Sequence, residues 1–380
     1  MAKGKYLKKV KVSTGKKVLR VVLIILLVLA LLAGAVFAFV WSKLSKITYD
    51  PGKTNETVAS TEAPVPTETL LSTEATNSTT ETDTTEATEE PATEPPSGLD
   101  MSGLTMETAP AYSSGELFKD KDVMNILLIG TDERTEGFTN NARGDINIVV
   151  SINKSENTVK LVSFSRGIAI KMLDGPYEGQ YEWLTNAHRW AGHEAVMQAL
   201  SEAFKIELDR YVRVNFNTAV QIVDAIGGID MELTQAEVDF MMIDRQKWKL
   251  KEGVNHLTGD MALRYARLRT IDDDWRRIER QRKTILAVVD ALKGSTFSEL
   301  NDLCDKVLPL IQTNLTKMEI AELILYSPKF LTSEFDQLTI PLENSYGGMT
   351  VMSGSGGWAL DYTKNNAALH EFLYGAEATD

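Results

Sequence analysis

Cysteine is all but absent from this 380-residue chain, and histidine is scarce. A single Cys304 excludes an intramolecular disulfide. Its setting, LCDKVLPLI, is apolar and predicts a small core residue. The four histidines, His188, His193, His256 and His370, are scattered, and no Cys/His spacing suits a zinc site. The same scarcity argues against a Ser-His-Asp arrangement. Positive charge is also in deficit, with a net charge of −13. No internal repeat is visible, and one folded domain is expected.

The residues that are present divide the chain sharply. Residues 1–18 form a basic tail with Lys3, Lys5, Lys8, Lys9, Lys11, Lys16 and Lys17 and no acid. Residues 21–40 carry no charge and are long enough to cross the ~30 Å hydrocarbon core as a helix. A transmembrane anchor is therefore expected over 19–41. The denser Lys/Arg flank on the N-terminal side predicts a cytoplasmic N-terminus and an extracytoplasmic domain. A cleaved signal peptide is the rival, but its apolar region should span only ~7–15 residues. Residues 42–115 then read as a disordered stalk. The part from 51 to 110 is dominated by Thr, Glu, Ser, Pro and Ala, and has too little apolar surface to offset its ordering entropy.

From 116 to 380 the pattern is α/β. Strands are predicted at 124–129, 146–152, 158–164, 229–233, 337–341 and 350–352, and a turn at 253–257. Helices are predicted at 188–204, 216–226, 235–247, 258–265, 279–293, 301–312, 317–329 and 365–374. The first strand runs into the polar loop GTDERTEGFTNNARGD, and the third ends in Ser165-Arg166-Gly167. Asp132, Arg134 and Arg166 thus lie where strands enter loops, with Arg143 and Asp145 just before the second strand. Ligands gather at strand ends in open α/β sheets; ordinary solvated loop residues are the alternative.

The densest feature is residues 264–282, RYARLRTIDDDWRRIERQR. Arg267 and Arg269 alternate as in a strand or an extended turn. Arg277, Arg280 and Gln281, at i, i+3 and i+4, share one side of a helix. Planar guanidinium forks suit bidentate contact with phosphate or carboxylate. Two readings stand at this level: an anion clamp, or a salt-bridge network with Asp272, Asp273, Asp274 and Glu279. Nucleic-acid binding fits neither the acidic domain nor its expected location outside the membrane.

Ordered blocks across residues 124–292, namely NILLIGTDER, ARGDINIVVSIN, KLVSFSRG, LTNAHRWAG, YVRVNF, VDAIGGIDMEL, LTGDMALRYARLR and DDDWRRIERQR, resemble the LytR–CpsA–Psr family of cell-envelope phosphotransferases. The resemblance implies a central mixed β-sheet flanked by helices. It also implies transfer of a polyprenyl-pyrophosphate-linked anionic glycopolymer, teichoic-acid-like or capsule-like, to a peptidoglycan hydroxyl. Asp132 and Asp145 match the carboxylates that hold Mg²⁺, with Mn²⁺ as an alternative. Arg143, Arg166, Arg267, Arg269, Arg277 and Gln281 match the residues lining the diphosphate, and Arg134 is similar to an arginine common after the first Asp. Arg264, Arg276, Arg280 and Arg282 are left for pairing with Asp272–Asp274 and Glu279 or for solvent. Two positions depart from the pattern: Gly167 stands where Asp is usual, and Trp183 where Lys is common. These departures imply an altered donor or acceptor, slower chemistry, or use of the inserted LDGPYEGQYEW loop. The alternatives to a transferase are a non-catalytic binder of the lipid or polymer and a pyrophosphatase with water as acceptor.

Overall fold

The computed structural model describes Thr48–Tyr49 and residues 116–375, apart from 135–136, 140, 174–176, 209, 270 and 355. Strands β1 (Thr48–Tyr49), β2 (Val123–Thr131), β3 (Gly144–Asn153), β4 (Thr158–Phe164), β5 (Ala169–Lys171) and β6 (Tyr181–Trp183) precede helix α1 (Leu184–Phe204). Then come β7 (Arg210–Val214), α2 (Phe216–Ala225), β8 (Ile229–Leu233), α3 (Gln235–Met242), β9 (Gly253–Leu257), α4 (Gly259–Ala266) and α5 (Asp274–Leu292). The last elements are α6 (Phe297–Val307), β10 (Gln312–Thr313), α7 (Lys317–Phe330), β11 (Phe335–Ile340), β12 (Tyr346–Thr350), β13 (Gly356–Leu360) and α8 (Tyr362–Tyr374).

Seven strands make one mixed sheet in the order β1–β10–β7–β2–β3–β4–β11. Its centre is the antiparallel meander β2–β3–β4, with β7 and β11 added parallel on either side. Period-2 alternation explains why these runs become strands buried on both faces. Leu127, Ile129, Val149 and Val162 pack with Val196 and Leu200 of α1 and Leu369 of α8. Their neighbours Ile126, Val150 and Ile152 turn to the opposite layer, against Cys304, Leu308 and Ile320 from the α6–α7 region. The result is the expected helix–sheet–helix stack with a mixed sheet. Cys304 lies half-buried beside that second core.

A third apolar cluster sits apart, built from the antiparallel β8–β9 pair, α3 and α4, and includes Met241 and Tyr265. Ala287 and Val288 of α5 pack against it. Three helices open with the same device. Thr234, Thr296 and Thr316 each cap a backbone N–H three residues on, while Glu237, Glu299 and Glu319 bond back to the cap. Asp273 caps α5 by accepting from the Arg276 N–H.

Several predicted elements change. Residues 253–257 are strand β9, not a turn, and 235–247 stops as a helix at Met242, before a short 3-10 turn at Gln246–Trp248. Helix 301–312 is shifted forward to Phe297–Val307, and the strand at 350–352 lies instead at Tyr346–Thr350. Helix α5 begins five residues before 279, because the Asp273 cap starts it. Arg267 terminates α4, so Arg267 and Arg269 belong to a loop rather than a strand. Strands β5, β6, β7, β10 and β13 were not anticipated. Thr48–Tyr49, within the segment expected as stalk, pairs parallel with Gln312–Thr313. The expected anchor at 19–41 lies outside the described residues, among which no helix is long and apolar enough to cross a membrane.

Close backbone approach locks helix α4 of the third cluster to helix α2. A Cβ at Gly259 would lie 2.3 Å from the Val220 carbonyl oxygen of α2. Backbone on both sides leaves no flexible tip to yield. Gly259→Ala should therefore destabilise the domain by about 1–3 kcal/mol, read as a lower urea midpoint at unchanged slope.

Candidate anion-binding site

Four chain segments deliver charged side chains to one place. The β2–β3 loop brings Asp132, Arg134 and Arg143, with the second residue of β3, Asp145, beside them. Its ends are tied: the Arg143 N–H donates to Asp132 Oδ1 at 2.9 Å, and the Asp132 N–H to the Arg143 carbonyl at 3.2 Å. The turn after β4 brings Arg166, whose carbonyl accepts from the Thr185 N–H at the start of α1. The loop after α4 brings Arg267 and Arg269 on either side of the fully buried Leu268. The first turn of α5 brings Asp274 and Arg277.

Asp145 is the hub. One of its carboxylate oxygens accepts from Arg166 at 3.3 Å and from the Thr185 hydroxyl at 3.2 Å; the other accepts from Arg269 at 3.3 Å. Burial alone would push the Asp145 carboxyl up. Arg166, Arg269 and Arg277, helped by Thr185, outweigh it and hold the group below the ordinary carboxylate range. Arg166 reaches Asp274 at 3.6 Å, and Arg277 forms an ion pair with the same carboxylate.

Arg277 is the anomaly in this cluster. It is 2 % exposed, yet none of its three nitrogens finds a hydrogen-bond acceptor in good geometry. Burial drives its pKa down to about 10, Asp274 opposing and Arg166 and Arg269 assisting. Arg269 and Arg267 are shifted downward too, first by burial and then by neighbouring guanidinium groups. Arg267 feels both Asp132 and Asp145, and stacks over Phe216 at 4.2 Å. Six guanidinium groups, on Arg134, Arg143, Arg166, Arg267, Arg269 and Arg277, thus share the site with three carboxylates, Asp132, Asp145 and Asp274. The surplus is positive in an acidic protein. A dianion or larger anion would complete it.

The structure therefore brings together all the predicted site residues except one placed less directly: Gln281 is buried one helical turn beyond Arg277 on the inner face of α5. Asp274 and Thr185 were missed. Asp274 had been grouped with the scaffold acids, and Thr185 carries no signal except its place in the LTNAH block. The other arginines are structural. Arg280 holds Asp272 with both terminal nitrogens, and Arg276 pairs with Glu279 at 2.9 Å. Two partners differ from expectation. Arg264 reaches Asp244 at 2.6 Å, and Arg282 donates to the Thr339 hydroxyl, because each points away from the acidic turn.

Beneath the β2–β3 loop lies a buried ion pair that sequence spacing does not reveal. Glu133 accepts from Arg213 of β7 at 2.9 Å, and these two side chains are 4 % and 1 % exposed. Glu133 also takes the Thr131 hydroxyl at 2.5 Å and the Thr139 hydroxyl at 2.9 Å. His188 of α1, fully buried, engages the Ala142 carbonyl at 2.7 Å. These contacts hold the loop from both sides.

Relatives bear out the architecture. The model of the LytR_cpsA_psr family matches residues 69–368. The chain belongs to that family. Over 224 residues it is 28 % identical to the polyisoprenyl-teichoic acid–peptidoglycan teichoic acid transferase TagT of Bacillus subtilis (strain 168), covering 58 % of this chain and 68 % of that protein. The corresponding transferase TagU of Bacillus anthracis is 29 % identical over 218 residues, 55 % of this chain and 66 % of its own length. Among solved structures, protein gbs0355 from Streptococcus agalactiae superposes with a TM-score of 0.56 at 23 % identity, covering 67 % of this chain and 87 % of that one. TagT bound to LIIa-WTA superposes with a TM-score of 0.53 at 24 % identity, covering 67 % and 92 %.

Gly167 and Trp183, the two positions expected to depart from the family pattern, both touch the β12–β13 hairpin. A Cβ at Gly167 would lie 2.9 Å from the Trp358 indole nitrogen, so a side chain there would have to displace that ring. The Trp358 N–H donates to the Gly167 carbonyl at 2.8 Å. Trp183 donates its indole N–H to the Gly356 carbonyl at 2.8 Å. Gly167 and Trp183 thus latch a C-terminal hairpin. The inserted loop contributes β6 and Glu182, which binds Ser353 at the tip of the same hairpin.

Removing one partner of a buried pair strands the other charge. Arg213→Ala should cost about 3–5 kcal/mol, measured by urea denaturation. His188 offers a pH test. Burial drops its imidazole from 6.5 to about 4, with the Ala142 carbonyl opposing. The unfolded chain takes up that proton first, so the stability is complete above about pH 6.5 and is lost as pH falls toward 4. The loss is roughly 3 kcal/mol. An NMR titration should find the His188 ring neutral at pH 5.5, and His188→Gln should flatten the acid side of the stability profile.

Proposed function

We propose that this protein transfers a polyprenyl-pyrophosphate-linked anionic glycopolymer to a peptidoglycan hydroxyl, from a membrane-anchored position outside the cell. The observation that carries this reading is Arg277, a buried guanidinium whose single carboxylate partner, Asp274, is shared with Arg166, in a cluster with surplus positive charge. A pyrophosphate supplies non-bridging oxygens for such donors, and phosphoryl transfer is catalysed mainly by positioning and charge neutralisation. Membership in a family that includes teichoic acid transferases supports the choice of polymer.

Arg166, Arg269 and Arg277 would grip the diphosphate from one side, and Arg143, Arg267 and Arg134 from the other. Gln281 extends the α5 face. The wall-sugar hydroxyl attacks the phosphorus next to the saccharide; the new phosphodiester forms as the bond to the polyprenyl phosphate breaks. Polyprenyl phosphate leaves, and the hydroxyl proton passes to solvent or to a phosphate oxygen. Asp145, held on the acidic side of the carboxylate range, is a poor proton acceptor near neutrality. Its part is to fix Arg166 and Arg269.

Asp132 and Asp145 also suit Mg²⁺, with Mn²⁺ as a substitute. Both are hard oxygen donors, and among the described residues no third metal-binding side chain joins them. Mg²⁺ commonly takes one or two carboxylates and completes its shell with substrate phosphates and water. When bound, it would neutralise charge on the diphosphate oxygens.

The test is incubation of the full chain, in detergent micelles, with a polyprenyl-pyrophosphoryl saccharide, peptidoglycan oligomers and Mg²⁺. Polyprenyl phosphate and a glycan phosphodiester should appear together. Arg277→Met should slow both by about 100-fold or more while leaving the fold intact, and chelation of the metal should stop them. Donor binding without lipid release would establish a binding protein instead. Lipid phosphate without a glycan product would establish a pyrophosphatase.

A further inference from the structure

Beside the anion cluster opens a cleft of about 420 Å³ that the diphosphate site does not use. Trp275 and Tyr346 form its wall, Leu342 adds an apolar floor, and Arg276, Glu279 and Glu343 stand around it. Trp275 follows Asp274 directly, so the cleft begins one residue from the carboxylate that meets Arg166 and Arg277. The wall is built rather than incidental. The Trp275 ring lies 5.7 Å from Tyr346, and Tyr346 in turn meets Trp358 edge-on at 5.3 Å. Trp358 is fixed to Gly167, the neighbour of Arg166. An aromatic ladder thus runs from one side of the anion site to the other, held at its far end by Gly167.

The lining selects among occupants. A polyprenyl tail would have to desolvate Glu279, Glu343 and Arg276 without compensation. A second phosphate would face two carboxylates, while Arg276 is committed to Glu279 and Arg282 to Thr339. A pyranose ring meets every condition: its C–H face lies on an aromatic platform, and its hydroxyls donate to the carboxylates. We propose that the Trp275–Tyr346 cleft is a saccharide subsite that seats a sugar ring next to the diphosphate. It rests on the transferase reading for the identity of that neighbour. The ring comes either from the donor's glycopolymer or from the acceptor glycan.

Two probes separate this proposal from the function itself. The full chain in micelles is titrated calorimetrically with chitotetraose, a peptide-free glycan, and with inorganic pyrophosphate. In parallel, KM is measured for the lipid-linked donor and for the glycan acceptor. Trp275→Ala and Glu343→Gln should each raise one of the two KM values at least fivefold. Pyrophosphate affinity should stay within twofold of wild type. A rise confined to the acceptor KM, with weakened chitotetraose binding, assigns the subsite to the wall glycan; a rise confined to the donor KM assigns it to the glycopolymer. If Trp275→Ala loses both probes, its fold is disturbed and the exposed-rim variant Glu343→Gln decides. Unchanged KM values and unchanged chitotetraose binding in Glu343→Gln would then overturn the subsite. Should wild type bind pyrophosphate but transfer nothing, the functional reading fails separately, and failure of wild type to bind chitotetraose in that case overturns the subsite too.

Discussion

A guanidinium removed from water must be answered by negative charge or by acceptors, and Arg277 has the first without the second. Asp274 lies against it, and Asp145 is close enough to oppose its loss of charge. Neither supplies a hydrogen bond in good geometry. That imbalance organises what surrounds it. Asp145 stays ionised although half-buried because Arg166, Arg269 and Arg277 converge on it. Arg166 bridges Asp145 to Asp274, so the turn after β4 and the first turn of α5 are joined through carboxylates.

The charged side chains sit on loops, yet the loops are constrained. The β2–β3 connection closes on itself through Asp132 and Arg143, and rests on Glu133, which is clamped by Arg213 from the neighbouring strand. His188 and Gly144 come from opposite sides; a Cβ on Gly144 would meet the His188 Cβ at 3.2 Å. Electrostatic stabilisation of a transition state works when its donors do not have to reorganise. A buried ion pair under the site is a weak source of stability but a strong restriction on where Asp132 and Arg134 can go.

Much of this was legible, for reasons that can be stated. The strands β2, β3 and β4 announce themselves because runs such as NILLIG and INIVVSI are buried on both faces. The blocks carrying the aspartates and arginines reveal a family but not their mutual geometry. Strand β9 was misread as a turn because its alternation runs against expectation: Val254 is 65 % exposed while Asn255 points inward, satisfied by Lys251 and Gly253. The start of α5 was missed because three consecutive aspartates look like loop; one caps the helix, one anchors Arg280, and one enters the site. The Glu133–Arg213 pair joins residues 80 apart through a parallel strand pairing, which no local pattern encodes.

Helix α5 itself distinguishes a salt-bridge network from an anion clamp. Arg277 and Arg280 are three residues apart on one helix and almost equally buried, at 2 % and 3 % exposure. Arg280 is answered: Asp272 takes both of its terminal nitrogens, and the Leu268 carbonyl and Glu237 add further contacts. Burial lowers the charged form of Arg280, but these partners more than restore it, and its pKa rises. For Arg277 the same burial prevails. A network serving stability alone would have satisfied both, since aspartates are available at 272, 273 and 274. The chain instead spends Asp272 on Arg280 and Asp273 on the helix cap, and leaves Arg277 with one shared carboxylate. Arg277 also feels the positive charges of Arg166 and Arg269, and what would satisfy all three at once is a multiply charged oxyanion.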